Sequence, residues 1–115
     1  MGAPAAGSVA LVPFPFSDLS RAKLRPAVVL AAVERGDIML CQITSNPYAD
    51  PLALLISDSD FQVGGLQRNS FARPGKVFTA SAGLLTGVVG GLMPHKHREL
   101  VDALVAVLRQ GLIDS

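Results

Sequence analysis

One cysteine, Cys41, in a chain of 115 residues excludes any disulfide within the chain. A lone thiol suits a reducing compartment better than a disulfide-stapled secreted framework, and its default state is a small, buried, inert hydrophobe. Charge is scarce as well: Asp, Glu, Lys and Arg make up 17% of the residues and the net charge is +1, so no strongly basic balance announces a nucleic-acid partner. No apolar run approaches the roughly 20 residues of a membrane-spanning helix. Met1 to Ala6 has no positive segment ahead of an apolar one, so a cytoplasmic protein without a membrane partner is expected. Zinc-type Cys/His clusters are missing, and His95 and His97, two apart, would point about 200° from each other on a helix. Neither a GxxxxGK[ST] phosphate loop nor a GxSxG elbow occurs. The expectation is a protein with no metal and no cofactor.

What is present is apolar bulk. Half the residues are hydrophobic, too many for a disordered chain, and the length suits one domain spanning residues 1–115. The ten Lys and Arg are unevenly spread. Arg21, Lys23 and Arg25 lie together with Asp18 as the only nearby acid, while Arg68, Arg73 and Lys76 share a stretch without any acid.

Along the chain, 8–13 reads as a short strand that Pro13 and Pro15 terminate, since neither has an N–H to donate. Residues 17–24 mix turn formers with cations and read as an exposed loop. The continuous apolar run 26–33 suits a strand covered on both faces, and Arg35-Gly36-Asp37 joins it to a second strand, 38–43, as a hairpin. A turn-rich segment, 44–51, leads to a short strand within 52–56. Beyond it, 57–65 reads as an irregular turn, 69–72 and 76–80 as two short strands around Pro74-Gly75, and 84–89 as one more, broken by Gly90-Gly91. Gly64-Gly65 likewise reads as a turn. Leu100, Leu104, Val107, Leu108 and Gly111 follow helical spacing, with Pro94 in the first turn and Gly111 as an end signal. Short strands joined by turns, closed by one amphipathic helix, predict a mainly β fold of sandwich or small-barrel type.

If the central strands pair as a hairpin, Arg25 at the start of one and Thr44 at the end of the other share one end of the sheet. A guanidinium can clamp a phosphate through two parallel hydrogen bonds and a hydroxyl can add a third, which is the pairing that phosphodiester chemistry needs. The same spacing also fits an arginine bonded to strand carbonyls and a threonine satisfying a turn.

The segments Gly7-Ser-Val-Ala-Leu-Val-Pro-Phe-Pro-Phe-Ser-Asp-Leu-Ser20 and Lys23-Leu-Arg-Pro-Ala-Val-Val-Leu30 resemble the opening of PemK/MazF-family toxins. The similarity continues through Ile43-Thr-Ser-Asn46, Gly65-Leu66 with Ser70, Lys76-Val-Phe-Thr79 and the terminal helix, nearly the whole chain. Ser8 stands where the family usually has an acid, and Arg73-Pro74-Gly75 departs from its usual strand. The resemblance implies an SH3-like small barrel (CcdB/Kid/MazF-like) with a C-terminal helix, a homodimer, and a groove that takes single-stranded RNA or, in competition, a cognate antitoxin. It implies metal-independent RNA cleavage through a 2′,3′-cyclic phosphate, inhibiting translation and growth, with DNA contacted only through a toxin–antitoxin complex.

On the matching positions, Arg25 and Thr44 would be catalytic. Arginine is a poor general base because it keeps its proton above about pH 12, so a transition-state clamp suits Arg25 better than proton abstraction. Arg21, Lys23, Ser45, Asn46, Phe16, Arg73 and Lys76 would bind RNA, and Phe14, Phe16 and Tyr48 offer faces on which single-stranded bases stack. A different class of function stands beside this one: a non-catalytic barrel toxin or binding module acting on a protein such as DNA gyrase, which would have no need of the Arg25 and Thr44 pair.

Overall fold

In the computed structural model, which describes residues 4–15 and 22–114, the long apolar run forms the middle of β2 (Ala22–Ala32) and is buried on both faces. Side chains alternate along a strand, and here each side meets its own core. Val28 joins Val9, Cys41, Ile43, Ile56, Ala72, Leu92 and Leu100 on one face, while Ala27 and Val29 join Ala10, Val12, Ile38 and Leu40 on the other. The hairpin partner is β3 (Asp37–Thr44), reached through a turn in which Arg35 and Gly36 both take positive φ, 62° and 77°. Two positive φ values match the right-handed twist of a tight hairpin.

Around this pair the chain adds β1 (Ser8–Pro15), β4 (Leu54–Ile56), β5 (Phe61–Gly64), β6 (Ser70–Ser81) and β7 (Gly87–Leu92), then the helix α1 (Pro94–Asp114). All strand pairs are antiparallel, in the order β4-β6-β3-β2-β1-β7-β5, a curled half-barrel with one terminal helix. The mainly β architecture expected from the sequence is the one observed.

Several local expectations are corrected. Pro13 does not end β1, which pairs with β2 as far as Pro15↔Ala22. Beyond Leu11 no β7 residue pairs with β1. Prolines two apart turn their missing donors to the same side, so the ladder to β2 loses nothing. Lys23 and Leu24, read as loop, therefore belong to β2. Residues 69–80 form one strand rather than two, because the β3–β6 register shifts between Cys41 and Ile43 and leaves the buried Pro74 in a bulge that requires no N–H. Residues 57–65, read as turn, contain a 3-10 turn at Asp58–Asp60 and then β5. Gly111 does not end α1, which runs on to Asp114. His97 is half-buried beside Gly7, and its Nε2 has no hydrogen-bond partner among the described residues.

The glycine pairs 64–65 and 90–91 are also misread as turns. Gly64 (φ 67°) and Gly90 sit where β5 and β7 press together, and a Cβ on Gly64 would run into the Val89 carbonyl. A Cβ on Gly90 would lie 2.6 Å from the Val63 carbonyl oxygen and 2.9 Å from Gly65 N. Backbone meets backbone there, so neither side can yield. Gly90→Ala is expected to lower the unfolding free energy by about 1–3 kcal/mol, the usual cost of overpacking. The readout is the urea midpoint, and an unchanged midpoint would show that the two strands part freely.

The start of α1 is tied to the sheet by charge. Lys96 Nζ lies 3.0 Å from Glu99, 3.7 Å from Asp60 and 3.4 Å from the Leu55 carbonyl oxygen. Asp60 also accepts from the Ser57 N–H at 2.8 Å and from its hydroxyl at 3.1 Å. Burial pushes the Asp60 carboxyl up, but the Ser57 N–H, Lys96, the Ser57 hydroxyl and His95 outweigh it and hold it below its ordinary value. A carboxyl depressed in the folded state stabilises fully above its unfolded pKa of about 3.9, and that contribution fades as pH falls through the folded value. Asp60→Asn should therefore weaken the fold at neutral pH and flatten the fall of Tm from about pH 5 downward. Parallel Tm-against-pH curves for the two proteins would refute the linkage.

Candidate RNA-binding cleft

The β2–β3 register sets the site. Ala27 pairs with Gln42, and carrying that register two residues further places Arg25 opposite Thr44. Both line one open cleft of about 420 Å³ at the ends of these strands. Lys23, Leu24 and Pro26 join from β2, Ile43 and Ser45 from β3 and the residue after it, and Leu11 from β1. Gly65, Leu66, Gln67, Arg68 and Ser70, from the β5–β6 connection, also line it, with Val89 of β7. Among the described residues no Asp or Glu contributes to the lining, whereas Lys23, Arg25 and Arg68 all do. Such a surface favours an anion, because cations with no competing carboxylate build a local positive potential whatever the net charge of the chain.

Thr44 is 5% exposed, and its hydroxyl is engaged in the turn that leaves β3. It donates to the Asn46 carbonyl at 3.0 Å and accepts from the Asn46 N–H at 3.2 Å. The turn-satisfying role is thus real, and donation to a phosphate would require the hydroxyl to turn from the Asn46 carbonyl. Arg25 is half-buried, lines the cleft and belongs to neither core cluster.

Of the remaining expected contacts, Lys23 and Ser45 line the cleft, whereas Asn46, Arg73 and Lys76 do not. Asn46 turns its side-chain carbonyl oxygen to the Tyr48 N–H at 2.9 Å. Lys76 is exposed on β6. Arg73 donates from Nε to Asp50 Oδ2 at 2.9 Å and holds its guanidinium 5.6 Å above the Tyr48 ring centroid. The hydrogen bond from Arg73, then that from the Leu52 N–H, keeps the Asp50 carboxyl below its ordinary value. This latch closes a loop in which Tyr48 and Ala49 both adopt left-handed backbone, φ 54° and 58°. Bulky residues pay for that conformation, so the fastening of Arg73 serves the loop that follows Thr44. Phe16 and Arg21 fall outside the described residues, as does the side chain of Phe14.

Sequence reasoning did not assign Gln67 and Arg68 to the site. Arg68 was visible as part of an acid-free cationic stretch, but nothing local shows that the stretch returns across the sheet to face β2. Cys41, as expected, is buried, and burial pushes its thiol up to about 11 against a hydrogen bond to the Arg73 carbonyl. Among the described residues no three His, Cys, Asp or Glu side chains gather as a metal site, and no helix is long and apolar enough to cross a membrane.

Solved structures share this architecture. The MazE–MazF complex of Deinococcus radiodurans superposes with a TM-score of 0.75 at 16% identity, covering 94% of this chain and 97% of that one. An endoribonuclease with its cognate antitoxin from a mycobacterial species gives 0.71 at 17% identity, over 94% and 95% of the two chains. Mycobacterium tuberculosis toxin MazF-mt6 gives 0.67 at 16% identity, over 89% and 96%. At such identities the likeness establishes the fold alone. No curated protein matches the sequence significantly. The sequence profile of the PemK-like, MazF-like toxins of type II toxin–antitoxin systems matches residues 5–108, and the chain belongs to that family.

Proposed function

We propose that this protein is the toxin of a type II toxin–antitoxin pair and an endoribonuclease that cuts single-stranded RNA in the cleft between β2, β3 and the β5–β6 connection. The observation that carries the reading is the placement of Arg25 and Thr44 in one cleft whose described lining contains no acid. The ribose 2′-hydroxyl attacks the adjacent phosphorus and the P–O5′ bond breaks, leaving a 2′,3′-cyclic phosphate and a 5′-hydroxyl end. The 2′ proton passes to a base that no residue here is assigned to supply, and the leaving 5′ oxygen gains one. Negative charge grows on the phosphate oxygens in this step, and Arg25 meets it with paired donors while Thr44 adds a hydroxyl. The nucleophile belongs to the substrate and the protein's contribution is cationic, so the reaction as written needs no metal or cofactor. Cleavage in the cytoplasm would stop translation and growth. A cognate antitoxin would restrain the toxin by occupying the same surface, and DNA would be reached only through that complex.

The protein should cut a long single-stranded RNA in EDTA and leave cyclic-phosphate ends. Arg25→Ala is expected to lower the rate about 10²–10³-fold, the cost of removing one transition-state donor. Thr44→Val should lower it about 10–100-fold, with Thr44→Ser near wild type. Undiminished cleavage by Arg25→Ala sinks the assignment, and intact RNA with the wild-type protein favours a non-catalytic toxin acting on a protein such as DNA gyrase.

A homodimer is part of the same proposal. The far half of α1 leaves Leu108, Leu112 and Ile113 at 66%, 74% and 76% exposed, a contiguous apolar stripe that water solvates poorly. A second copy would cover it. Light scattering should give twice the chain mass, and Leu112→Glu should reduce it to one; a wild-type monomer at micromolar concentration would refute the dimer.

A further inference from the structure

We infer that Arg68 holds a second phosphate of the RNA, next along the strand from the one being cut; this rests on the RNA-cleaving reading above. Two observations carry it. First, the cleft has more positive charge than one diester can use. A phosphodiester carries one negative charge and two free oxygens, which the Arg25 guanidinium and the Thr44 hydroxyl together can occupy. Arg68 lines the same cleft from the β5–β6 connection, as Lys23 and Arg25 do from β2. Its charge is surplus to the scissile group and positioned for a neighbour.

Second, Arg68 stands on fixed backbone, and its head makes no ion pair among the described residues. Ser70, itself 5% exposed, donates its hydroxyl to the Arg68 carbonyl at 3.2 Å. The same connection is anchored at its start by Gly65 N–H to the Val89 carbonyl, 3.2 Å, beside the Gly64 contact with β7. The side chain is exposed, and among the described residues no carboxylate pairs with it. Arg73 and Lys96 differ, since both are committed to carboxylates of the fold. An arginine held at its root and exposed at its tip, over a cleft whose described lining holds no acid, is suited to capture an anion from solvent. Phosphate contacts of this kind fix position and affinity rather than sequence.

The probe is a fluorescein-labelled single-stranded RNA with 2′-deoxyribose at the cut site, so that it binds without being cleaved. Affinity is measured against KCl concentration for wild type, Arg68→Ala and Arg68→Lys, with cleavage of the all-ribose RNA run on the same preparations. Each phosphate contact on a single strand contributes about 0.7 to the slope of log affinity against log salt. Arg68→Ala should bind about tenfold more weakly. Its slope should be shallower by about 0.7, with the same loss on RNAs of unrelated sequence and unchanged cut positions. Arg68→Lys should keep the wild-type slope, which a merely misfolded variant would not. Equal affinity and slope for Arg68→Ala and an actively cleaving wild type overturn the inference while leaving the nuclease reading intact. A loss confined to particular sequences also overturns it, since Arg68 would then read a base. A wild type that neither binds nor cuts RNA removes the reading on which the inference stands.

Discussion

The register of β2 against β3 is the constraint on which the site depends. A slip of one residue would turn every side chain of a strand to the opposite face and separate Arg25 from Thr44. Hydrophobic patterning alone cannot prevent this, because β2 is apolar on both faces and either face can be buried. Register is pinned instead at the turn, where Arg35 and Gly36 take positive φ and the Val33 N–H reaches the Asp37 carbonyl at 2.9 Å. At the far end, β1 continues the ladder through Val12↔Arg25, so the strand carrying the arginine stays paired where the cleft begins.

The cleft's other wall depends on a different kind of contact. The β5–β6 connection lies far from β2 in the sheet order and reaches the cleft because β5 pairs with β7 at a backbone distance only glycine allows. The fold's two glycine pairs therefore serve close approach more than turning. The family's Gly65-Leu66 with Ser70 has a physical reason in this chain: the Gly65 N–H bonds the Val89 carbonyl beside the Gly64 contact, Leu66 packs against the core, and Ser70 holds Arg68.

What was legible in the sequence was what local pattern determines. The double-sided apolar run, the hairpin at residues 35–37, the burial of Cys41 and the helix from Pro94 all follow from residues close together in the chain. The errors arise where a distant partner changes the meaning of a residue. Pro13 and Pro15 read as stops until β7 is seen to pair only as far as Leu11, and Pro74-Gly75 reads as a break until the bulge against β3 is known. In the site, Arg25 and Thr44 were readable because hairpin partners are sequence neighbours at one remove. Arg68 was not, since only the curl of the sheet brings it there.

The chain's near-neutral balance conceals a division of labour among its cations. Arg73 and Lys96 answer acids of the fold, Asp50 for the loop after Thr44 and Asp60 for the start of α1. Lys23, Arg25 and Arg68 stand in a cleft that no acid lines among the described residues. Net charge adds these two groups together and reports almost nothing, whereas a ligand in the cleft meets only the second. Within a Debye length of about 8 Å at physiological salt, a strand entering the cleft responds to those three cations far more than to acids across the molecule. A nearly neutral protein can in this way present a surface as selective for anions as a much more basic one, and keep the remaining charge for holding in place the loop that follows Thr44.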